Sequence, residues 1–438
     1  MKTLNKLAIA AMICGASVSC ENKVTYKVPA PEDVMMYQVN PRVFAPDHSF
    51  NAAALQLDSI KSLGANVVWL MPIYEVGKEN SVNSPYCIKD YKALNPEFGN
   101  MQEFNSFVDE CHKRGMSVII DWVANHTSWD NAWVLDHPDW YTQDSTGTII
   151  SPEGTGWLDV ADLNFDNQDM RLAMIDAMKF WVNEAGVDGF RCDAADFVPF
   201  DFWKQAIDSL RSMPDHKLLL LAEGKRKDHF DAGFEMNYAW DFAETMREVF
   251  RKDTTAAKVF KTDMEEYDSI PEGCVKLRFT TNHDEATKMS PVDEFISTDG
   301  SMSAFTISAF LHGGALIYGS QEVGYPSTIN FFNYVPVDWS MNPQLRQEYR
   351  QLMHLYNEHP ALRKGQMTPY PAKDVVTFAK SLNGENFLIM ASARRCDVLA
   401  EVPEGWKGAE VTDMISGEKR KLGDSEYLSG YKYYIFKK

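Results

Sequence analysis

Four short stretches of this chain place reactive side chains at the ends of apolar runs. They are Asp121–His126 (DWVANH), Gly189–Asp193 (GFRCD), Leu221–Gly224 (LAEG) and Thr281–Asp284 (TNHD). Each follows or ends a run with the length and composition of a buried strand. Together they bring the carboxylates of Asp193, Glu223 and Asp284, the imidazoles of His126 and His283, and the guanidinium of Arg191 to strand ends. Such a set suits acid–base chemistry on a neutral polar substrate, with no redox cofactor. Arg191 and Asp193 are two residues apart, so on a strand both point to the same face. A guanidinium there would hold Asp193 ionised. An isolated Arg-x-Asp is more often a structural pair; three companion motifs in order make this one part of a site.

The elements that must position these groups alternate along the chain. Strands are expected at Val34–Val39, Val67–Met71, Met116–Val123, from Val187, at Lys217–Ala222, Ala232–Tyr238, Val275–Thr281 and Ala315–Tyr318. Helices are expected at Ala53–Leu63, Met101–Lys113, Met170–Glu184, Phe200–Ser212, Trp240–Arg251 and Ser301–Leu311, and a last one carries the stripe Leu345, Tyr349, Leu352 and Tyr356. Repeated βα units predict an α/β fold, a (β/α)₈ TIM barrel over residues 30–364. In that fold the C-terminal ends of the strands carry the active site. The connection from His126 to Asn167 is too long for a simple turn and is expected to be functional. After about Gly365 the helical stripes stop, and short strands with turns predict a small β domain over 365–438.

The four motifs in order resemble the α-amylase family, glycoside hydrolase family 13, from about Tyr37 to about Gly365. Gly314–Glu322 (GALIYGSQE) and Pro336–Trp339 (PVDW) resemble that family's strand-eight region. The resemblance implies a short domain B at 126–167 after strand three and a C-terminal β-sandwich. It also implies a retaining mechanism with two carboxyl groups. Asp193 would be the nucleophile and Glu223 the general acid, its pKa raised by repulsion from Asp193 and Asp284. His126, His283 and Asp284 would bind hydroxyls of the sugar at the cleavage point, Arg191 would hold Asp193, and Tyr86 would stack under that sugar. Asp121 would support the site. Asn125 and Asp162 match calcium ligands of many members, and both carry the oxygen donors calcium takes. Members with that calcium usually have Lys-His at the third and fourth positions past the nucleophile, where this chain has Asp196 and Phe197. That departure leaves both calcium and ordinary acceptor subsites open.

The implied activity is hydrolysis of α-glucosidic bonds, mainly α-1,4, in starch-derived glucans or malto-oligosaccharides. Ala194 after the nucleophile fits, since relatives cutting α-1,6 bonds often have Val there. A transglycosylase, or a neopullulanase or cyclomaltodextrinase, would use the same site. A non-catalytic glucan binder would be expected to lack one of the three carboxylates, and none is missing.

The chain has 438 residues, more than one core normally serves. Its net charge of −19 and the absence of a basic run argue against nucleic acid as a partner. Eleven Trp and 18 Tyr exceed what packing requires, and some suit stacking on sugar rings. The N-terminus reads as a targeting segment: Lys2 and Lys6 precede an apolar Leu7–Val18, too short to span a bilayer. Ser17-Val18-Ser19-Cys20 resembles a bacterial lipoprotein cleavage site, although Ser17 stands where Leu is usual. Residues 1–20 would then be a lipoprotein signal, with Cys20 acylated and the enzyme exported to the periplasm or cell surface. An ordinary signal peptide and a soluble exported protein is the alternative. Besides Cys14 and Cys20, five cysteines with no paired spacing argue against a disulfide framework or zinc site.

Overall fold

The computed structural model describes residues 26–438; the leader and Cys20 lie outside the described residues. Eight parallel strands close a barrel: β1 Met35–Val39, β2 Val67–Leu70, β3 Ser117–Val123, β4 Gly189–Asp193, β5 Leu219–Ala222, β6 Met236–Tyr238, β7 Val275–Arg278 and β8 Gly314–Tyr318. Sequential strands are neighbours, and β8 pairs with β1. All eight lie within or beside the expected runs.

Alternation along each strand sorts side chains into two cores. Met36, Val67, Trp69, Ile119, Leu219, Leu221, Tyr238, Leu277 and Leu316 fill the lumen. Tyr37, Val68, Ile120, Trp122, Phe190, Cys192, Leu220 and Ile317 face the helices. Arg191 lies between Phe190 and Cys192, so it must point inward, as must Asp193. Register places Asp121 beside Arg191 and Val123 beside Asp193. At the start of β4, Gly189 has φ +150°, and a Cβ there would meet the Leu219 carbonyl oxygen at 1.8 Å. Only glycine admits so close a strand neighbour.

Helices Met101–Lys113 and Trp240–Arg251 have the expected bounds, and Gln168–Ala185 and Phe200–Arg211 differ by one or two residues at their ends. The expected Ala53–Leu63 helix is two short ones, Ser49–Ala54 and Leu57–Ser62, with Leu55 facing solvent at the break. Helix Lys258–Tyr267 carries no clean apolar stripe, because its buried face includes Asp263 and Glu266, both paired with the buried Arg278. Those buried acids hide the helical period from a reading of hydrophobicity.

Two antiparallel pairs stand on the C-terminal face of the barrel. Tyr74–Val76 pairs with Ile88–Leu94, a hairpin not expected from the sequence, and its loop carries Tyr86. His126–Ser128 pairs with Val160–Asp162 and frames the long connection after β3. The C-terminal unit is a sandwich of unequal halves. Its six-stranded sheet runs β9 Gln366–Tyr370, β10 Val375–Leu382, β11 Glu385–Ser392, then Tyr433–Lys437, Glu410–Asp413 and Lys419–Lys421. Val398–Glu401 and Ser425–Leu428 form the second sheet, and Leu388, Met390, Val402, Trp406, Leu428 and Phe436 pack in one cluster of that unit. Among the described residues no helix is long and apolar enough to cross a membrane.

Candidate active site

One guanidinium organises the site. Arg191 is fully buried, and its Nη1 lies 2.7 Å from Asp121 Oδ1 and 2.7 Å from Asp193 Oδ1. Its Nη2 lies 3.0 Å from Glu223 Oε1, without hydrogen-bond alignment, and its Nε donates to Tyr238 Oη at 3.2 Å. The cation also faces the rings of Trp69 and Tyr86, at 5.1 and 5.8 Å from their centroids. Aromatic faces and carboxylates thus replace the water that Arg191 gives up.

Three carboxyls around one buried cation cannot all be ionised at low cost. Asp121 is pushed up to about 7 and Glu223 up to about 8. For Glu223, repulsion from Asp193 and Asp284 was the expected cause. Burial is the larger one; Asp193 and Asp284 add to it, and Arg191 opposes it. Glu223 follows β5, and its carboxyl oxygen Oε2 accepts the Ala194 N–H at 2.7 Å. Its backbone oxygen accepts the Ala195 N–H at 2.9 Å. Ala194 pays for these contacts with φ +43°, a conformation rare outside glycine that costs of order 1–3 kcal/mol. The two carboxyl-bearing loops are therefore tied together at the backbone.

Asp284 sits in a one-turn helix, His283–Ala286, capped by the Asn282 side chain, which accepts the Asp284 and Glu285 N–H groups. Burial raises the Asp284 pKa. His283 is buried, and burial, reinforced by Arg191, holds its pKa well below the ordinary value, so the ring is neutral. Gln38 Nε2 donates to His283 Nδ1 at 2.7 Å, which leaves the proton on Nε2. Nε2 then donates to Tyr86 Oη at 2.7 Å, and Tyr86 donates to Asp121 Oδ2 at 3.1 Å. The Tyr86 ring stacks on His283, with centroids 5.5 Å apart. His126 is buried with its pKa lowered by burial, and it meets the edge of Trp157 at 5.4 Å.

Tyr86, His126, Asp193, Glu223, His283 and Asp284 line one cavity of about 280 Å³, and Arg191 and Asp121 lie beneath it. The structure therefore brings together every catalytic and sugar-binding residue expected from the sequence. Cys192 is buried in the strand–helix layer, as alternation requires. Sequence reasoning missed Tyr238 and Trp69, which bond Arg191 and Asp121, Gln38, which bonds His283, and Trp157, Phe331 and Phe332 in the cavity wall. The one available signal was Gln38, a polar residue in an otherwise apolar strand.

Asn125 and Asp162 are close, because His126 pairs with Asp162 across the small sheet. The Asn125 carbonyl is already taken by the Leu163 N–H, and the amide Nδ2 lies 3.3 Å from His126 Nδ1. Asp162 is a half-buried carboxyl raised by burial. Among the described residues no group of three or more His, Cys, Asp or Glu is placed to hold a metal. The Asn125 side-chain amide and the Asp162 carboxylate would supply two of the six to eight oxygens calcium takes, the others coming from backbone carbonyls and water, and no step is derived through calcium.

The family described as "Alpha amylase, catalytic domain" matches residues 51–147 and 155–364. The alpha-amylase MalA of Haloarcula japonica is 26% identical over 436 residues, covering 94% of this chain and 62% of that protein. Trehalose-6-phosphate hydrolase of Bacillus subtilis is 30% identical over 213 residues, 40% of this chain and 37% of the relative. This chain thus spans less than two thirds of either relative. Among solved structures, a noncanonic maltogenic alpha-amylase AmyB from Thermotoga neapolitana superposes with a TM-score of 0.84 over 94% of this chain and 99% of that one. At 24% identity that likeness speaks for the fold. With the family match spanning most of the barrel and all four motifs meeting at one mouth, the chain belongs to the α-amylase family.

Proposed function

We propose that the protein is a retaining glycoside hydrolase that cleaves α-glucosidic bonds, mainly α-1,4, in starch-derived glucans or malto-oligosaccharides. One observation carries this reading. Asp193 and Glu223 share a single buried guanidinium, while burial keeps Glu223 protonated up to about pH 8. A carboxylate paired with a cation and a neutral carboxylic acid on one cavity wall are the two partners that glycosidic cleavage needs.

Asp193 attacks the anomeric carbon as the bond from that carbon to the glycosidic oxygen breaks. The leaving oxygen takes the Glu223 proton. Water then gives a proton to the Glu223 carboxylate and attacks the same carbon, releasing Asp193. Neutral His283 adds no charge to repel a developing oxocarbenium ion, and its Nε2–H, now given to Tyr86 Oη with Asp284 Oδ2 3.3 Å away, would reach a sugar hydroxyl only by giving up or sharing that bond. Tyr86 offers its ring face in the same wall. The α-1,4 preference rests on likeness to amylases and on Ala194; an oligo-1,6-glucosidase is also among the relatives.

Proton NMR of the first product from maltotriose tests the mechanism. A retaining enzyme releases the α anomer first, and a β anomer would overturn the assignment. A product profile on starch, pullulan and cyclodextrin, repeated with excess maltose, separates bond preference and transfer from hydrolysis. We also propose export, with Cys20 as a lipid anchor.

A further inference from the structure

We propose that the site takes the non-reducing end of a glucan chain, because a wall clasped by Arg42 closes the cavity on the side where the chain would continue. This rests on the hydrolase reading above. Arg42 follows β1 and is buried. Its Nη1 donates to the backbone carbonyls of Asn83, Phe331 and Phe332 at 2.7, 2.9 and 3.1 Å. Its Nη2 donates to Asn83 Oδ1 at 3.3 Å, and its Nε donates to Glu97 Oε2 at 3.0 Å. The Asn83 amide also bonds the Phe332 carbonyl directly. Asn83 lies in the hairpin loop after β2, and Phe331 and Phe332 lie after β8. One buried guanidinium thus joins two loops that rise on either side of β1. A planar fork of donors can hold these acceptors together; an ammonium lacks that geometry.

The joined loops form one wall of the catalytic cavity, through Val82, Ser84, Phe331 and Phe332. The Phe331 ring packs on Tyr86 and on His283, with centroids 5.7 Å from each, so the wall abuts the groups that face the attacked sugar. Its place in the ring of strands decides what it blocks. β8, β1 and β2 are neighbours, and β5, which Glu223 follows, lies four strands from β1. The wall therefore stands across the mouth from the acid. The leaving oxygen on C1 of the attacked sugar departs toward Glu223. In an α-1,4 chain the preceding sugar hangs from O4, at the opposite end of the ring, and would run into the wall. A cavity of about 280 Å³ is at the small end for sites that enclose a ligand, and it suits a chain end better than a chain passing through.

Two maltoheptaosides test this, one free and one carrying a 4,6-O-ethylidene group on its non-reducing sugar. Both hold the same internal bonds, and only the second lacks a free end. The wild type should cleave the free chain at least about tenfold faster than the blocked one. A smaller ratio would overturn the proposal. Arg42→Met, checked for folding by circular dichroism, should loosen the wall and narrow the ratio by about threefold or more. General damage to the fold lowers both rates together and leaves the ratio where it was. Phe332→Ala trims the wall and keeps the backbone carbonyl that Arg42 holds, so it gives the same reading if Arg42→Met does not fold. An unchanged ratio in the folded variants would overturn the wall. Wild-type protein inert on both chains would overturn the hydrolase reading, and the wall with it.

Discussion

Arg191 Nη2 lies 3.0 Å from Glu223 Oε1, and yet the Glu223 carboxyl is raised, not lowered. Nearness to a cation would ordinarily favour the carboxylate. Here the same guanidinium already serves Asp121 and Asp193, and burial outweighs what is left.

Asp193→Asn and Glu223→Gln should each leave a folded protein and cut malto-oligosaccharide hydrolysis by at least about 10³-fold. Initial rates with a circular dichroism check measure this. Glu223→Gln should retain more activity on α-glucosyl fluoride, whose leaving group needs no proton. Near-normal hydrolysis of maltotriose by either variant would remove the assignment.

Activity should fall on the alkaline side as Glu223 loses its proton. Above about pH 8, log kcat/KM should decline with unit slope in the wild type. Stability carries the same sign. The folded-state pKa of Glu223 lies above its unfolded value, so its contribution is full below the unfolded pKa and is lost as pH rises through about 8. Glu223→Gln should therefore gain on the wild type in urea midpoint from pH 5 to pH 9. A constant difference across that range would contradict the shift.

Arg191→Met should destabilise the fold by about 3–5 kcal/mol, because it strands Asp121 and Asp193 without their cation. The loss should shrink at low pH, where Asp121, pushed up to about 7 by burial, is protonated. Denaturant unfolding at pH 4.5 and pH 8 reads both effects. A loss below about 1 kcal/mol at pH 8 would show that the pair is not structural.

Cys20→Ala should move the protein from the membrane fraction to the soluble one, or leave it unprocessed. Tyr26, six residues on, donates to the Asp188 carboxylate and stacks on His112 at 3.9 Å. Asp188 precedes β4 and His112 precedes β3, so this anchorage is at the barrel face opposite the catalytic mouth. A lipid at Cys20 would leave the cleft facing away from the bilayer, and membrane-bound enzyme should cleave soluble maltotriose as fast as detergent-released enzyme. Mass spectrometry finding an unacylated mature N-terminus would refute the anchor and leave the barrel untouched.

Local pattern alone determined the barrel strands, the motif at each strand end and the inward aim of Arg191 and Asp193. Alternation and length are short-range properties, and eight repeats of them admit few folds. The hairpin bearing Tyr86 and the helix Lys258–Tyr267 escaped notice, since a three-residue strand has no period to detect and buried acids on Arg278 disguise an amphipathic face. Only the tertiary structure decided how charge is shared. Asp121, Asp193 and Glu223 are separated by up to about a hundred residues, and which of them stays protonated depends on burial around one guanidinium that no linear spacing encodes. The same holds for Gln38 and His283, whose contact across β1 and the end of β7 selects the tautomer. Trp157 and Phe197 meet because strand closure brings two loops to one mouth, and their exposure is visible only once everything else is packed.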